Sequence, residues 1–564
     1  MDVLIEPRID PVTLEVLRHA LQAIAEEMAV ALMRTAYSTN ITDRRDCSCA
    51  VYLPTGEPVA QSESGTPLHL GVMPAVVRSV LAKVPADRMA AGDQYMMNTP
   101  YPEGPGHLND VTVVAPVLVE GRMVALVANQ AHHVDIGGMT PGSMPAEAVE
   151  VFQEGLQLPP VALMRNGKLV EDTIALFLAN VRTPTTSQGD LLAQAAANKV
   201  GGDRAQALIS RWGYAVVSGA MSAILDHAER RMRAAIRTLP DGVYRAEDSL
   251  EGPEGPLILR GEVVISGDTL SANFAGSAGQ VRAPLNCRPP TLRACLAYVV
   301  QAIVDPGGSP NAGALRPLTV TAPEGSLLNA HYPASVVHSN VITTQRICDV
   351  LIRALHSAVP ERVVAACAGT QALICIGGYD EARGEPFTYI ETHGGGAGAR
   401  SGTDGQSAVH THMTNTLNSP VEVLEQTFPF HVIEYALEPN SAGRGRWRGG
   451  FGLRRSLELA APATLTVAAD RTRTRPWGLE GGGAAAPARI ELVRKGERRR
   501  LRARGTYQLL PGDRLTLVTP GGGGWGDPRL REPASLAADR AGELVSTRRT
   551  SKHARRSKDQ DRNG

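Results

Sequence analysis

Two Val-rich runs set the strongest constraint on how this chain can fold. Between Gly104 and Gly138 it reads GPGHLND, VTVVAPVLV, EGR, MVALVAN and QAHHVDIGG. Apolar β-formers broken by a short Glu120-Gly121-Arg122 segment predict a β-hairpin with a Gly-containing turn. Folded about Gly121, Asp110 comes opposite His132, because each lies eleven residues from the turn. His107 sits just outside the first strand. Facing residues of a hairpin have Cβ atoms about 4.5–5.5 Å apart, so two imidazoles and a carboxylate converge at the hairpin's open end. Pro116 inside the first run predicts an edge strand or a bulge.

Imidazole and carboxylate together suit Zn²⁺ or Mn²⁺, and a set of three ligands leaves a position for a reactant. A metal so held can polarise a substrate oxygen and lower the pKa of water. The competing reading is a hairpin whose polar ends face solvent. Alternation turns His133 to the face opposite His132, so register selects His132 as the ligand and leaves Asp135 to accept from an imidazole N–H. Asp46, just before a predicted strand from Cys47 to Leu53, reads either as a partner of Arg44 or Arg45 or as a fourth ligand. His69 precedes a helix expected around Ala75 to Val84 and is placed behind the ligands at most. MTPGSMP, after the hairpin, reads as a lid or a site wall.

The chain is long enough for several domains. Glycine (57) and proline (39) are abundant and aromatics scarce (4%), which favours short strands and turns over long bundles, while 43% apolar content excludes disorder. The predicted class is α+β. A metal-site α/β region spans 1–240, a mixed region 241–440 and a Gly-rich, mostly β domain 441–535. A charged tail, 536–564, follows and is expected to be disordered. Helices are expected from Asp10-Pro11 through Met33, over Thr183–Arg211 and Val216–Thr238, and near Thr291–Val304 and Thr343–Val359. A second hairpin turns at Gly267-Asp268.

Lys plus Arg equals Asp plus Glu at 57 each, which argues against nucleic acid or a membrane surface as the main partner. Seven scattered cysteines without C-x-x-C, a start lacking signal-peptide features and no long apolar run predict a cytoplasmic protein with reduced thiols. The segment ETHGGGAGARSGTDGQSAVHTHMTN offers Gly-rich backbone and Arg400, His410 and His412. It reads either as a substrate or phosphate contact or as a structural loop. On a strand, His410 and His412 would share one face. No Walker motif occurs.

Taken together, RRDCSCAVY, GHLNDVTVV, HHVDIGGMTPGSMP, LNCRPPTLRA, GGGAGARSGTDG, RGGFGLRR, RPWGLEGG and TPGGGGWGDP resemble the hydantoinase B/5-oxoprolinase family. That family includes N-methylhydantoinase, caprolactamase and the large subunits of acetone and acetophenone carboxylases. The resemblance runs from the first helix nearly to the tail. It implies a divalent metal on His107, Asp110 and His132, with Asp46 as a further ligand. It also implies a hetero-oligomer with a hydantoinase A-like, actin-fold ATPase that phosphorylates a cyclic amide (hydantoin, lactam or 5-oxoproline), which the metal-containing chain then hydrolyses. His133 or Asp135 would act as general base or orienter and Arg400 would hold phosphate. ATP-dependent carboxylation of a ketone is the alternative implied activity, and a non-catalytic scaffold is a third.

Overall fold

In the computed structural model, which describes residues 9–546, the hairpin is the centre of a seven-stranded sheet rather than its rim. Its strands are β1 (Cys47–Tyr52), β2 (Pro58–Gln61), β3 (Gln94–Met97), β4 (Asp110–Val119), β5 (Arg122–His132), β6 (Val161–Arg165) and β7 (Lys168–Leu169), in the order β2-β1-β5-β4-β3-β6-β7. Asp110 pairs with His132, the expected register, and a bulge falls between Val117 and Leu118. Pro116 is tolerated in a central strand because β3 pairs only with Thr112 to Val114, so no partner meets the proline on that side.

Helices cover both faces. Helix α1 (Pro11–Thr35) is capped by Asp10, whose carboxylate accepts from the N–H of Val12 and Thr13, and buries Leu17, Leu21, Ile24, Met28 and Leu32. With α5 (Pro184–Trp212) and α6 (Tyr214–Ile236), introduced after the short α2 (Thr39–Thr42), α3 (Pro67–Lys83) and α4 (Glu171–Leu178), it packs on the face carrying Cys49, Val51, Val127 and Ala131. The other face, with Ala50, Tyr52, Val114 and Ala128, is covered by α3. Helix α3 starts well before the expected Ala75. Pro67 occupies its first turn, and Pro74 lies inside it. His69 therefore sits in the first helical turn, not before the helix.

The central region adds a four-stranded sheet of β8 (Gly242–Glu251), β9 (Pro256–Ser266), β10 (Thr269–Asn273) and β11 (Leu318–Thr321), the last pair parallel. Helices α7 (Pro289–Ile303) and α8 (Ala312–Leu315) lie between β10 and β11 in the chain and α9 (Thr344–Leu355) follows β11; α7 and α9 share the apolar core of the sheet. A π-helical turn, Ser339–Thr343, leads into α9.

Two further sheets stack face to face. One contains β12 (Ala372–Asp380) and β13 (Glu385–His393); the other begins with β14 (Phe430–Leu437) and β15 (Leu453–Leu459). The first is completed by β16 (Ala463–Ala468) and β19 (Arg504–Leu509). The second takes β17 (Arg489–Arg494), β18 (Glu497–Arg500) and β20 (Arg514–Val518). Ile374, Phe430, Leu465 and Leu517 share the core between them. The expected boundary at 440 thus cuts through one core. The stretch read as a disordered tail is ordered at its start: helix α11, after the short α10 (Val421–Thr427), spans Pro533–Ala541. Asp539 of α11 pairs with Arg448 and Arg531. Residues 1–8, read for a leader, and the tail residues 547–564 lie outside the described residues.

All seven cysteines are buried and free of disulfides. Among the described residues no single helix is long and apolar enough to cross a membrane. The α+β, multi-domain class is as the sequence predicts.

Candidate metal centre

Three adjacent strands end at one place. Cys47 pairs with Ala131 and Asp110 with His132, so the residue before β1, Asp46, stands beside the end of β5, its carbonyl accepting from the His132 N–H at 3.1 Å. Asp46, His132 and Asp110 share the α3 face of the sheet by alternation. His107 enters from the loop before β4 and His69 from the first turn of α3.

Ligand atoms of His107, Asp110 and His132 all lie within 4.8 Å of one another. His107 Nε2 and His69 Nε2 are each 3.2 Å from Asp110 Oδ1, and His69 Nε2 is 3.7 Å from Asp46 Oδ1. The rings of His107 and His132 meet edge to face at 4.9 Å. All but Asp46 are buried in this group of three imidazoles and two carboxylates.

Each ring is held from behind. His107 Nδ1 donates to the Val337 carbonyl at 3.0 Å, which leaves Nε2 to face the cluster. The Asn40 amide donates to the His132 carbonyl at 2.7 Å and lies 3.1 Å from His132 Nδ1, and Arg44 in turn donates to Asn40. Asn340, in the π-helical turn, donates to Asp110 Oδ2 at 3.0 Å. What remains is informative: His107 Nε2 and Asp110 Oδ1 are buried and form no well-directed hydrogen bond. Such orphans cost free energy unless something takes them up, and a divalent cation fits this donor set.

The electrostatics are those of one tightly coupled group. Burial, the largest single influence, acts to lower His107 and His69, but the charge and hydrogen bond of Asp110 together with the Asp46 charge raise both. Burial acts to raise Asp110, but the two imidazoles hold it well below the usual carboxylate range. His132 is pushed down to about 4, by burial first and by His107 second, so it stays neutral.

The cluster opens on a small cavity also lined by Thr66, Leu68, Met144, Thr392, Thr414 and Thr416. A larger cavity, about 490 Å³, lies on the other side of two short strips. Gly65, Pro67 and Asn415 line the large cavity, and their neighbours Thr66, Leu68, Thr414 and Thr416 line the small one. Leu68 N–H donating to Met413 O at 3.1 Å, and Asn415 Nδ2 donating to Gly65 O at 3.2 Å, tie the strips together.

The other sequence candidates fall elsewhere. His133 turns to the α5 face, 3.0 Å from Gln194 Oε1 and edge-on to Phe177. Asp135 accepts from the N–H of Gly137, Gly142 and Arg182 and pairs with the Arg182 side chain at 3.0 Å, so it braces the loop after the hairpin. Neither belongs to the cluster. The MTPGSMP segment is a wall rather than a lid: Gly142 and Ser143 are buried and Met144 lines the small cavity. Arg400 is exposed in a turn bridged to Thr403. His410 lies behind the cavity threonines, 3.2 Å from the hydroxyls of Thr414 and Thr416. His412 points elsewhere, to Asp349 at 3.1 Å. The two histidines share no strand face, because the segment is irregular and His412 has a positive φ of 58°. Asn40, Asn340 and Val337 have no sequence signature, since an amide or a carbonyl recruited from another segment shows no spacing.

The Gly-rich runs cradle one another. A Cβ on Gly522 would lie 1.9 Å from Ala397 O, and one on Gly450 would lie 1.7 Å from Gln406 O. Gly450 N–H donates to Ala397 O and Gly522 N–H to Gly450 O, so GGGAGA, RGGFG and PGGGG form stacked layers of backbone.

Comparison with known proteins agrees with this architecture. The chain is 31% identical to the B-type subunit of a putative D-/L-hydantoinase from Pseudomonas sp. (strain NS671), over 94% of this chain and 92% of that one. The solved ATP-dependent caprolactamase from Pseudomonas jessenii superposes with a TM-score of 0.89 at 29% identity, covering 96% of this chain and 95% of that one. A nucleotide-free acetone carboxylase matches in fold, with a TM-score of 0.88 at 20% identity over 95% and 78% of the two chains. The chain spans only 42% of 5-oxoprolinase 1 of Arabidopsis thaliana, to which it is 32% identical. With residues 10–528 matched by the hydantoinase B/oxoprolinase family, the chain belongs to that family.

Proposed function

We propose that this chain is the metal-containing subunit of an ATP-dependent enzyme that opens a cyclic amide, working with an actin-fold ATPase partner in a hetero-oligomer. The observation that carries the reading is the convergence of His107, Asp110 and His132 beside a cavity, with His107 Nε2 and Asp110 Oδ1 buried and forming no well-directed hydrogen bond. Relatives named as one of the subunits of a hydantoinase and of a caprolactamase point to the same substrate class and to a second polypeptide.

An amide resists attack because nitrogen donates into its carbonyl. Phosphorylation of the oxygen by the partner, at the cost of ATP, would turn that group into a far better electrophile with a good leaving group. His107, Asp110 and His132 would hold Zn²⁺ or Mn²⁺, with Asp46 as a further ligand. The ion would supply Lewis acidity toward an oxygen of the reactant. His69 takes the proton-handling role that the family resemblance implied for His133 or Asp135: its Nε2 sits between Asp110 and Asp46 and could hold a proton there. The large cavity has room for a hydantoin, lactam or 5-oxoproline, one partition away from the cluster. Arg400 has no place in this scheme.

The test is reconstitution with the ATPase partner. His107→Ala should lose metal and product formation while the two polypeptides still associate. Undiminished product from that variant would sink the catalytic reading in favour of a scaffold. ATP turnover that needs bicarbonate and a ketone, with lactams inert, would assign the carboxylase reaction instead.

A further inference from the structure

A second group of metal-binding residues lies outside the site described above. Asp349 on α9, Cys367 in the segment after α9 and His412 in the Gly-rich loop are 1%, 3% and 5% exposed. Their donor atoms all lie within 4.8 Å of one another, and His412 Nε2 is 3.1 Å from Asp349 Oδ1. We propose that these three side chains form a second divalent-metal site, of Zn²⁺ type, which staples the Gly-rich loop to α9.

Four observations support the site. The donors are a thiol, an imidazole and a carboxylate, and a thiolate favours Zn²⁺ over the harder Mn²⁺ or Mg²⁺. Asp349 Oδ2 is buried without a hydrogen bond, and a carboxylate using both oxygens would give the ion a fourth ligand atom. Gly398 N–H donates to Cys367 Sγ at 3.4 Å, which fixes the position of the sulfur within the group. His412 is held at φ 58°, in the left-handed region, and a non-glycine residue stays there only where its surroundings demand it. The two nearby guanidiniums, Arg346 at 3.9 Å and Arg471 at 3.5 Å from Asp349 Oδ2, pair more closely with other carboxylates. Arg346 is 3.0 Å from Asp470 and Arg471 is 2.8 Å from Asp248.

The consequence reaches the first site. The residue after His412, Met413, accepts from Leu68 N–H, and Thr414 and Thr416 wall the small cavity. An ion at His412 would fix that wall, through a site that takes no part in the chemistry.

The experiment is cobalt substitution of the full chain, read by absorption and by elemental analysis. A Co²⁺–thiolate site gives a near-ultraviolet charge-transfer band that a His/Asp site cannot. We expect that band in the wild type and in His107→Ala, and its loss in Cys367→Ser. Elemental analysis should give about two metal equivalents for the full chain and about one for each variant. A cobalt-loaded wild type without the band overturns the proposal whether or not Cys367→Ser folds. So does a folded Cys367→Ser chain that keeps the wild-type band and stoichiometry, with the three residues then only an internal ion pair. Both outcomes are independent of the cyclic-amide reading.

Discussion

Glu154 is a buried carboxyl with only one oxygen satisfied. Oε1 accepts from the Ser335 hydroxyl and from the N–H of Val336 and Val337, while Oε2 has no partner. Burial pushes its pKa up to about 7, against the opposing pull of those donors. Because the folded value lies above the unfolded one, the acid keeps its proton on folding. Folding stability from this group is full below about pH 4.5, falls as pH rises toward 7, and levels off above that. The full swing is on the order of 3 kcal/mol. Glu154→Gln removes the titration, so the wild type should lose melting temperature relative to the variant between pH 5 and pH 8, and parallel curves would refute the assignment. Glu154 holds the N–H of Val337, the residue whose carbonyl orients His107, a connection with no trace in the sequence. Asp110 opposite His132 is readable because register within one hairpin is a local property. His69 is easily undervalued, because it has no partner at fixed spacing and the helix that carries it starts at Pro67, before the expected Ala75. His133 and Asp135 stand beside the right residue but on the wrong face or in the following loop.

At the scale of elements, amphipathic helices and the two hairpins are legible because their periodicity is written along one segment. The glycine runs are legible only as loops. A phosphate cradle and a stack of backbones use the same residue for the same reason, the missing Cβ, and only the partner segments, far along the chain, distinguish them. That difference is testable. Gly450→Ala places a methyl 1.7 Å from Gln406 O, a backbone atom that cannot rotate away. The restriction of the unfolded chain gained with alanine, about 0.4–1 kcal/mol, is smaller than the distortion required, about 1–3 kcal/mol or more. Gly450→Ala should therefore lower the melting temperature or the soluble yield. Gly202→Ala is the control: it lies within α5 with nothing within 4 Å of the added Cβ, and should stabilise by about 0.5–1 kcal/mol. Equal effects at the two positions would mean that the glycine layers have room to part.

For the whole molecule the question is whether the metal centre belongs to the N-terminal half that supplies its residues. Composition places a boundary near 440, where short strands and glycine take over, and composition is blind to pairing. Strand β12 lies between its hairpin partner β13 and β16, so β12 has an unpaired edge unless Ala463–Ala468 is present. Glu391 on β13 is fully buried against Arg455 of β15 at 2.8 Å, and losing that partner would leave an uncompensated buried charge, a defect of about 3–5 kcal/mol. The same hairpin supports the metal centre. Arg44 donates to the Ile390 carbonyl and the Thr392 hydroxyl while also donating to Asn40, which holds His132. A chain cut after residue 440 keeps His69, His107, Asp110, His132 and Asp46, yet it loses β15, β16 and two of the glycine layers. It should fail to unfold in one cooperative transition and should bind metal at the first centre far more weakly than the full chain, as read by calorimetry and by metal titration. Native-like melting and undiminished binding in the truncated chain would mean that the N-terminal sheet positions these donors alone, and that the line from Arg455 through Glu391 and β13 to Arg44 carries no coupling.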